Sequence, residues 1–230
     1  MTLFGLERLP EILPVFPLTG TLLLPRGHLP LNIFESRYLD MVYYAREKNG
    51  LIGMIQPKTS ALQPGDGNDQ FGTAPRNRPL FGTGCVGMIS DLKENTDGSL
   101  VLLLTGLSRY DIIEEISATH TFRQMRVAYE RFAGDCTATA RSENIPRKRL
   151  VLTAEKYLKL TNTLPGWHVP DRAGDEELVN MLAMICPFSA AEKQAVLETV
   201  SLTGRSELML KIMEFDLSSD RQYPPDKTIQ

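Results

Sequence analysis

The chain has 230 residues, 42% of them hydrophobic and 23% charged, the mixture of a globular protein rather than a disordered or fibrous one. That length suggests one to two domains and a core large enough to fold without a disulfide or metal staple. Lysine and arginine number 25 against 28 acidic residues, a net charge of −3, so the basic excess of a typical nucleic-acid binder is missing.

Cys85, Cys136 and Cys186 are odd in number and dispersed, with no Cys-x-x-Cys pair. They read as reduced, buried hydrophobes rather than as a disulfide framework or a zinc site. His28, His120 and His168 stand outside helical spacing of one another and of any cysteine, and no metal or other cofactor is expected. The first ten residues lack the basic start and continuous apolar run of a signal peptide, and no run approaches the ~20 apolar residues of a membrane span. The expected setting is cytoplasmic, without membrane contact.

In chain order, Leu13–Leu24 is apolar but carries Pro14 and Pro17, with Pro25 following. Prolines confine strands to edges or starts, so two short strands joined at Thr19-Gly20 are expected. Leu29–Phe34 reads as another extended piece. Glu35–Lys48 reads as a helix with Tyr38, Val42 and Ala45 on one face, stopped by Asn49-Gly50. A strand over Leu51–Gln56 follows, then a Pro- and Gly-rich loop over Pro57–Pro79, read as mobile rather than functional. Phe81–Leu92 and Leu100–Leu107 read as a hairpin whose Asp97-Gly98 step supplies the positive φ of a tight turn. Tyr110–Ile116 and Phe122–Phe132 add further strands, at the short spacing of a barrel or sandwich.

Near residue 135 the pattern becomes helical. A helix is expected from Pro146 through Leu160, and Asp175 is placed to cap another carrying Leu178, Leu182 and Ile185. Ser189-Ala-Ala-Glu192 has capping-box spacing ahead of Val196, Leu197 and Val200, and Leu208, Ile212 and Phe215 form a last apolar stripe. Met181, Met184, Met209 and Met213 fall at core-like spacing, with an adaptable apolar binding surface as the other use of such thioethers. The boundaries read as a β-rich lobe over residues 1–134, a helical lobe over 135–217 and a polar tail over 218–230.

Several strings invite a catalytic reading and fail on context. Gly82-Thr-Gly84-Cys-Val-Gly87 has the glycine spacing of a dinucleotide fingerprint, which needs a helix opening at its third glycine; here the chain runs on into a hairpin. Ser90 and Lys93 have Ser-x-x-Lys spacing, which works only on one turn of a helix. The acidic pairs Glu114-Glu115 and Glu176-Glu177 read as solvated faces. No residue is assigned a catalytic role.

Leu13–Val42, LPVFPLTGTLLLPRGHLPLNIFESRYLDMV, resembles the opening of the Lon substrate-binding domain, the amino-terminal region of ATP-dependent Lon proteases. Leu51–Pro57, Gly84–Gly87 and Gly106-Leu-Ser-Arg-Tyr110 resemble its next strands and its G-x-x-R-aromatic turn. Cys186–Gln194 and Leu197-Glu198 resemble its P-x-S-x-x-E-K-Q…L-L-E stretch. The resemblance runs from about Pro10 to Leu217. It implies an α+β fold, a PUA-like β-rich pseudo-barrel followed by a small helical bundle. It further implies a stand-alone, non-enzymatic module that binds non-native or unstructured polypeptide segments, with a protease or chaperone component as a further partner.

Phe34, Arg37 and Tyr38, where an extended segment meets a helix, form an aromatic–arginine group suited to anchoring a peptide. Their competing role is packing: Tyr38 in a core, Phe34 between lobes, Arg37 beside an acid. His28 and Trp167 are weaker candidates. RNA binding, borrowed from the PUA-like fold, rests on Arg147-Lys-Arg149 alone, and fold analogy is a poor warrant for function. A hydrolase without a recognisable motif is the third alternative.

Overall fold

The computed structural model describes residues 6–58, 78–116, 120–137, 144–164 and 173–219. The loop expected over 57–79 lies mostly outside them, as do Trp167, His168 and the tail from residue 220. The chain divides into two compact units, Met1–Ala138 and Thr139–Gln230.

The first unit is built on six strands: β1 (Ile12–Pro17), β2 (His28–Ile33), β3 (Leu51–Ile55), β4 (Thr83–Glu94), β5 (Leu100–Ile116) and β6 (Arg123–Ala128). Their order is β2-β5-β4-β3-β1-β6, and β5 also pairs with β6. The sheet therefore closes into a barrel of β5, β4, β3, β1 and β6, with β2 attached along the first half of β5. Closure works because β5 is 17 residues long and pairs β2 through Leu100–Thr105 but β6 through Asp111–Ile116. The two expected strands over Leu100–Leu107 and Tyr110–Ile116 are thus one.

Two further expectations change. Leu18–Leu24 forms no second strand: Gly20 takes φ 71, and Leu22, Leu23 and Leu24 are buried outside the ladder. Gly87 and Gly106 make room for them, since a Cβ at Gly87 would lie 2.8 Å from Leu23 and one at Gly106 would strike the Leu24 carbonyl. The extended run also stops short of Phe132, because Glu130–Cys136 is a 3-10 helix. The prolines of β1 are tolerated by a division of partners. Ile12–Val15 pairs with β6 and Val15–Pro17 with β3, so Val15 alone is flanked on both sides and each proline has one neighbour.

The barrel interior follows the period-2 alternation of strands: Leu13 and Val15, Leu51 and Ile55, Val86, Tyr110, Met125 and Val127 form one buried cluster. Tyr110 is fully buried, its hydroxyl donates to the Met54 carbonyl at 3.2 Å, and burial holds its phenol well above the usual pKa. Gly53 and Gly84 supply the space for its ring. In the β4–β5 turn Gly98 has φ 82, and Asp97 accepts from the Ser99 backbone and hydroxyl at 3.0 and 2.7 Å. These two bonds lower the Asp97 pKa.

Helix α1 (Ser36–Lys48) buries Tyr38, Met41, Val42 and Ala45 and packs against β1 and β3. It ends as expected, with Asn49 at the cap and Gly50 at φ 70.

The second unit holds α2 (Arg147–Leu160), α3 (Asp175–Ile185), α4 (Ala190–Glu198) and α5 (Leu202–Ser218). The capping box of α4 forms: Ser189 Oγ accepts from the Glu192 N–H, and Glu192 accepts from the Ser189 N–H. Asp175 opens α3 but does not cap it; Gly174 occupies that position. Val200 lies beyond α4 and is half exposed. The expected stripe on α5 is the wrong face. Phe215 is 60% exposed, while Leu202, Arg205, Ser206, Met209, Leu210, Met213 and Asp216 are buried. Met209 and Met213 pack in the core as expected, whereas Met181 and Met184 are half-buried.

Candidate functional site

β2 and α1 meet at a corner. Ile33 ends β2 inside the core at 2% exposure, and the next residue, Phe34, turns outward at 55%. Glu35 keeps an extended backbone (φ −76, ψ 130) and caps α1 with its carbonyl, which accepts from the Tyr38 and Leu39 N–H groups at 2.9 Å. Arg37 lies over this corner. Its Nε and Nη2 donate to Glu35 Oε2 at 3.1 and 3.0 Å, and its guanidinium sits 4.6 Å above the Tyr38 ring. Tyr38 is buried and packs on Phe16, with ring centroids 4.3 Å apart.

The three residues named from sequence are therefore one layered corner with different exposures. Phe34 offers an apolar ring to solvent. Arg37 is half-buried and held in place by Glu35 and Tyr38. Tyr38 is the floor beneath it and has no free face of its own. An exposed aromatic ring can take an apolar side chain and a fixed guanidinium a backbone carbonyl, the two features every extended polypeptide presents.

The other candidates are committed elsewhere. His28 Nδ1 bonds Thr105 Oγ1 at 3.1 Å. β4 runs unbroken from Thr83 to Glu94, so no helix opens at Gly87 and the dinucleotide reading has no structural basis. Ser90 sits on the same strand, donating to the Leu103 carbonyl and accepting from Thr105 Oγ1, both at 3.0 Å. Glu114 and Glu115 pair with Arg126 and Arg123 at 2.8 and 2.6 Å. Both arginines of the basic string are paired: Arg147 with Asp175 at 2.6 Å and Arg149 with Glu214 at 2.7 Å. Among the described residues, no group of three or more His, Cys, Asp and Glu is placed to hold a metal, and no helix is long and apolar enough to cross a membrane.

Sequence reasoning missed a concavity on α1, of about 360 Å³, lined by Asp40, Tyr43, Tyr44 and Glu47 with His120, Thr121 and Phe122. Its signal was present in the i, i+3, i+4, i+7 spacing of the first four, one side of a helix, masked by the stronger apolar stripe beside it.

This barrel with its appended helices is an architecture seen in solved proteins. The Lon N-terminal domain protein from Xanthomonas campestris matches 87% of this chain and 97% of its own at TM-score 0.58 and 22% identity. The N-terminal domain of a Mycobacterium avium complex Lon protease matches at TM-score 0.54 and 16% identity, covering 89% and 98%. Residues 12–214 match the family described as the ATP-dependent protease La (LON) substrate-binding domain, and the chain belongs to that family. Lon protease 2 of Myxococcus xanthus is 25% identical over 92% of this chain, and a Lon protease of Dictyoglomus thermophilum is 27% identical over 86%. The chain spans about a quarter of the length of these relatives, 24% in both cases.

Proposed function

We propose that this chain is a polypeptide-binding module that captures non-native or unstructured segments and performs no chemistry on them. The observation that carries the reading is the match of residues 12–214 to a substrate-binding domain. The 230 residues correspond to one quarter of each relative, and the reading credits them with binding alone. Phe34 is the apolar anchor, Arg37 supplies directed N–H groups, and Tyr38 positions Arg37 from below. A protease or chaperone component is a second class of partner, receiving what the module holds. The compartment is the cytoplasm, where free thiols such as Cys85, Cys136 and Cys186 persist.

A corner of this size gives an interface below about 1,200 Å², hence micromolar or weaker affinity. Apolar contacts dominate, so binding of a permanently unfolded, reduced and alkylated protein survives a rise in salt. RNA binding would instead fall steeply with salt as phosphate contacts release counterions, and the pairing of Arg147 and Arg149 with acids leaves little charge for it. The test measures both ligands side by side at low and high salt, with a peptidase readout. Salt-resistant polypeptide binding without cleavage is expected. Salt-sensitive RNA binding without polypeptide binding, or peptide turnover by the pure protein, contradicts the reading.

A further inference from the structure

The second face of α1 has the make-up of a cation receptor. Its rings are held rather than loose: Tyr44 packs 4.9 Å from His120 and 5.2 Å from Phe122, and those two stack 4.9 Å apart at 6°. Gln124 Nε2 donates to Tyr44 Oη at 3.2 Å, and Thr121 Oγ1 donates to Asp40 Oδ2 at 2.8 Å. Tyr43 is 39% exposed on the open side. Asp40 and Glu47 bracket the two tyrosines, seven residues or about 10.5 Å apart along the helix axis. Among the described residues neither carboxylate forms an ion pair.

Aromatic faces attract cations, and carboxylates at the rim add charge complementarity. Lys48 Nζ already stands 6.0 Å from the Tyr44 ring centroid, at the outer limit of such contacts. A second cation would meet the Asp40 and Glu47 carboxylates and the exposed ring of Tyr43.

We propose that this cavity receives the side chain of an arginine in the bound polypeptide, an inference that rests on the polypeptide-binding reading and gives it a residue preference. Arginine fits better than lysine because its planar guanidinium stacks on a ring while its edge makes two parallel hydrogen bonds to a carboxylate. The pre-packed walls lower the ordering cost of binding.

The test titrates the full chain, by amide NMR, with acetyl-Gly-Arg-Gly-amide and with the same peptide carrying citrulline or lysine. Citrulline keeps the shape of arginine and removes its charge. Shifts should centre on residues 40–47 and 120–124, with arginine bound about fivefold more tightly than citrulline, given the modest strength of exposed cation–π and ion-pair contacts. The preference should fade as salt is raised. The double variant Asp40→Asn, Glu47→Gln changes two exposed carboxylates to neutral isosteres; it should keep the fold and lose the preference. Equal binding of arginine and citrulline, or a preference that survives the double variant, overturns the proposal. Unfolded-protein binding is measured in parallel. If it persists while the arginine preference is absent, the cavity assignment falls and the proposed function stands. If the peptide binds in the cavity but unfolded protein does not bind, the proposed function falls and the cavity assignment stands.

Discussion

Arg109 and Asp135 form a two-pronged buried ion pair: Nε donates to Oδ2 at 2.9 Å and Nη2 to Oδ1 at 2.7 Å. The Arg109 backbone N–H donates to the same carboxylate at 2.9 Å, and the guanidinium lies 4.3 Å over the Phe132 ring. The arginine of the G-x-x-R-aromatic turn thus clasps the 3-10 helix to β5. Its neighbour Tyr110 fills the barrel. Both side chains of the motif are engaged inside the first unit, Arg109 with Asp135 and Tyr110 with the Met54 carbonyl.

Asp135→Asn removes the carboxylate charge that faces the buried Arg109 guanidinium, and breaking a buried pair from one side costs about 3–5 kcal/mol. Urea denaturation should show a loss in that range. Arg109→Lys should also lose stability, since an ammonium cannot reproduce the planar fork. A loss below about 1 kcal/mol would place the pair among solvated surface bridges instead.

Gly53→Ala sets a Cβ 2.7 Å from the Tyr110 hydroxyl oxygen. Overpacking of this kind costs about 1–3 kcal/mol. Tyr110→Phe removes the hydroxyl and relieves part of the clash, so the double variant should be less unstable than the sum of the two single changes, the sign of coupling between touching residues. Additive losses by thermal denaturation would mean that the ring and the glycine do not share this space.

Cys186 is buried in the helical unit, and burial pushes its thiol up to about 12, against about 8.5 in an unfolded chain. Between those values the folded state binds the extra proton, so stability is present below about pH 8.5 and lost as pH rises, by at most about 1.4 kcal/mol per pH unit. Lys193 opposes this, because burial lowers its pKa and stability then rises with pH as the unfolded amine deprotonates. Comparing wild type with Cys186→Ala isolates the thiol: the fall in urea midpoint between pH 9 and pH 10 should be shallower in the variant. Parallel slopes would contradict the assignment. In the same protein, Cys136, half-buried, should be alkylated before Cys85 and Cys186, and all three should react in denaturant.

The strand and helix order was legible because it rests on local signals: the Asp97-Gly98 turn, the Ser189–Glu192 capping box, and Asn49-Gly50 after α1. Misreadings came where tertiary partners override local pattern. On α5 the charged residues Arg205 and Asp216 lie inside the core, where Arg205 bonds Asn180 and Asp216 accepts from the Tyr157 hydroxyl at 3.1 Å. Their polarity disguised the buried face and left Leu208, Ile212 and Phe215 as an apparent stripe. Leu22–Leu24 looked like a strand because it is apolar, but its burial is against Gly87 and Gly106 rather than within a ladder. At the candidate site the corner itself was readable, since a strand-to-helix junction with Phe34, Arg37 and Tyr38 is local. The packing alternative placed Tyr38 in a core and Arg37 beside an acid, as the structure has them. What sequence could not supply was the tertiary partner, Phe16 beneath Tyr38, and the outward turn of Phe34.

The most direct test of the polypeptide-binding surface places a photo-activatable benzoylphenylalanine at position 34 and, in a control, at position 113. Phe34 is 55% exposed and Ile113 is 60% exposed, so exposure alone favours neither. Irradiation with a permanently unfolded protein should give crosslinks from position 34 that an excess of unlabelled polypeptide suppresses, and few from position 113. Equal crosslinking at both positions, or none at position 34, would contradict the account.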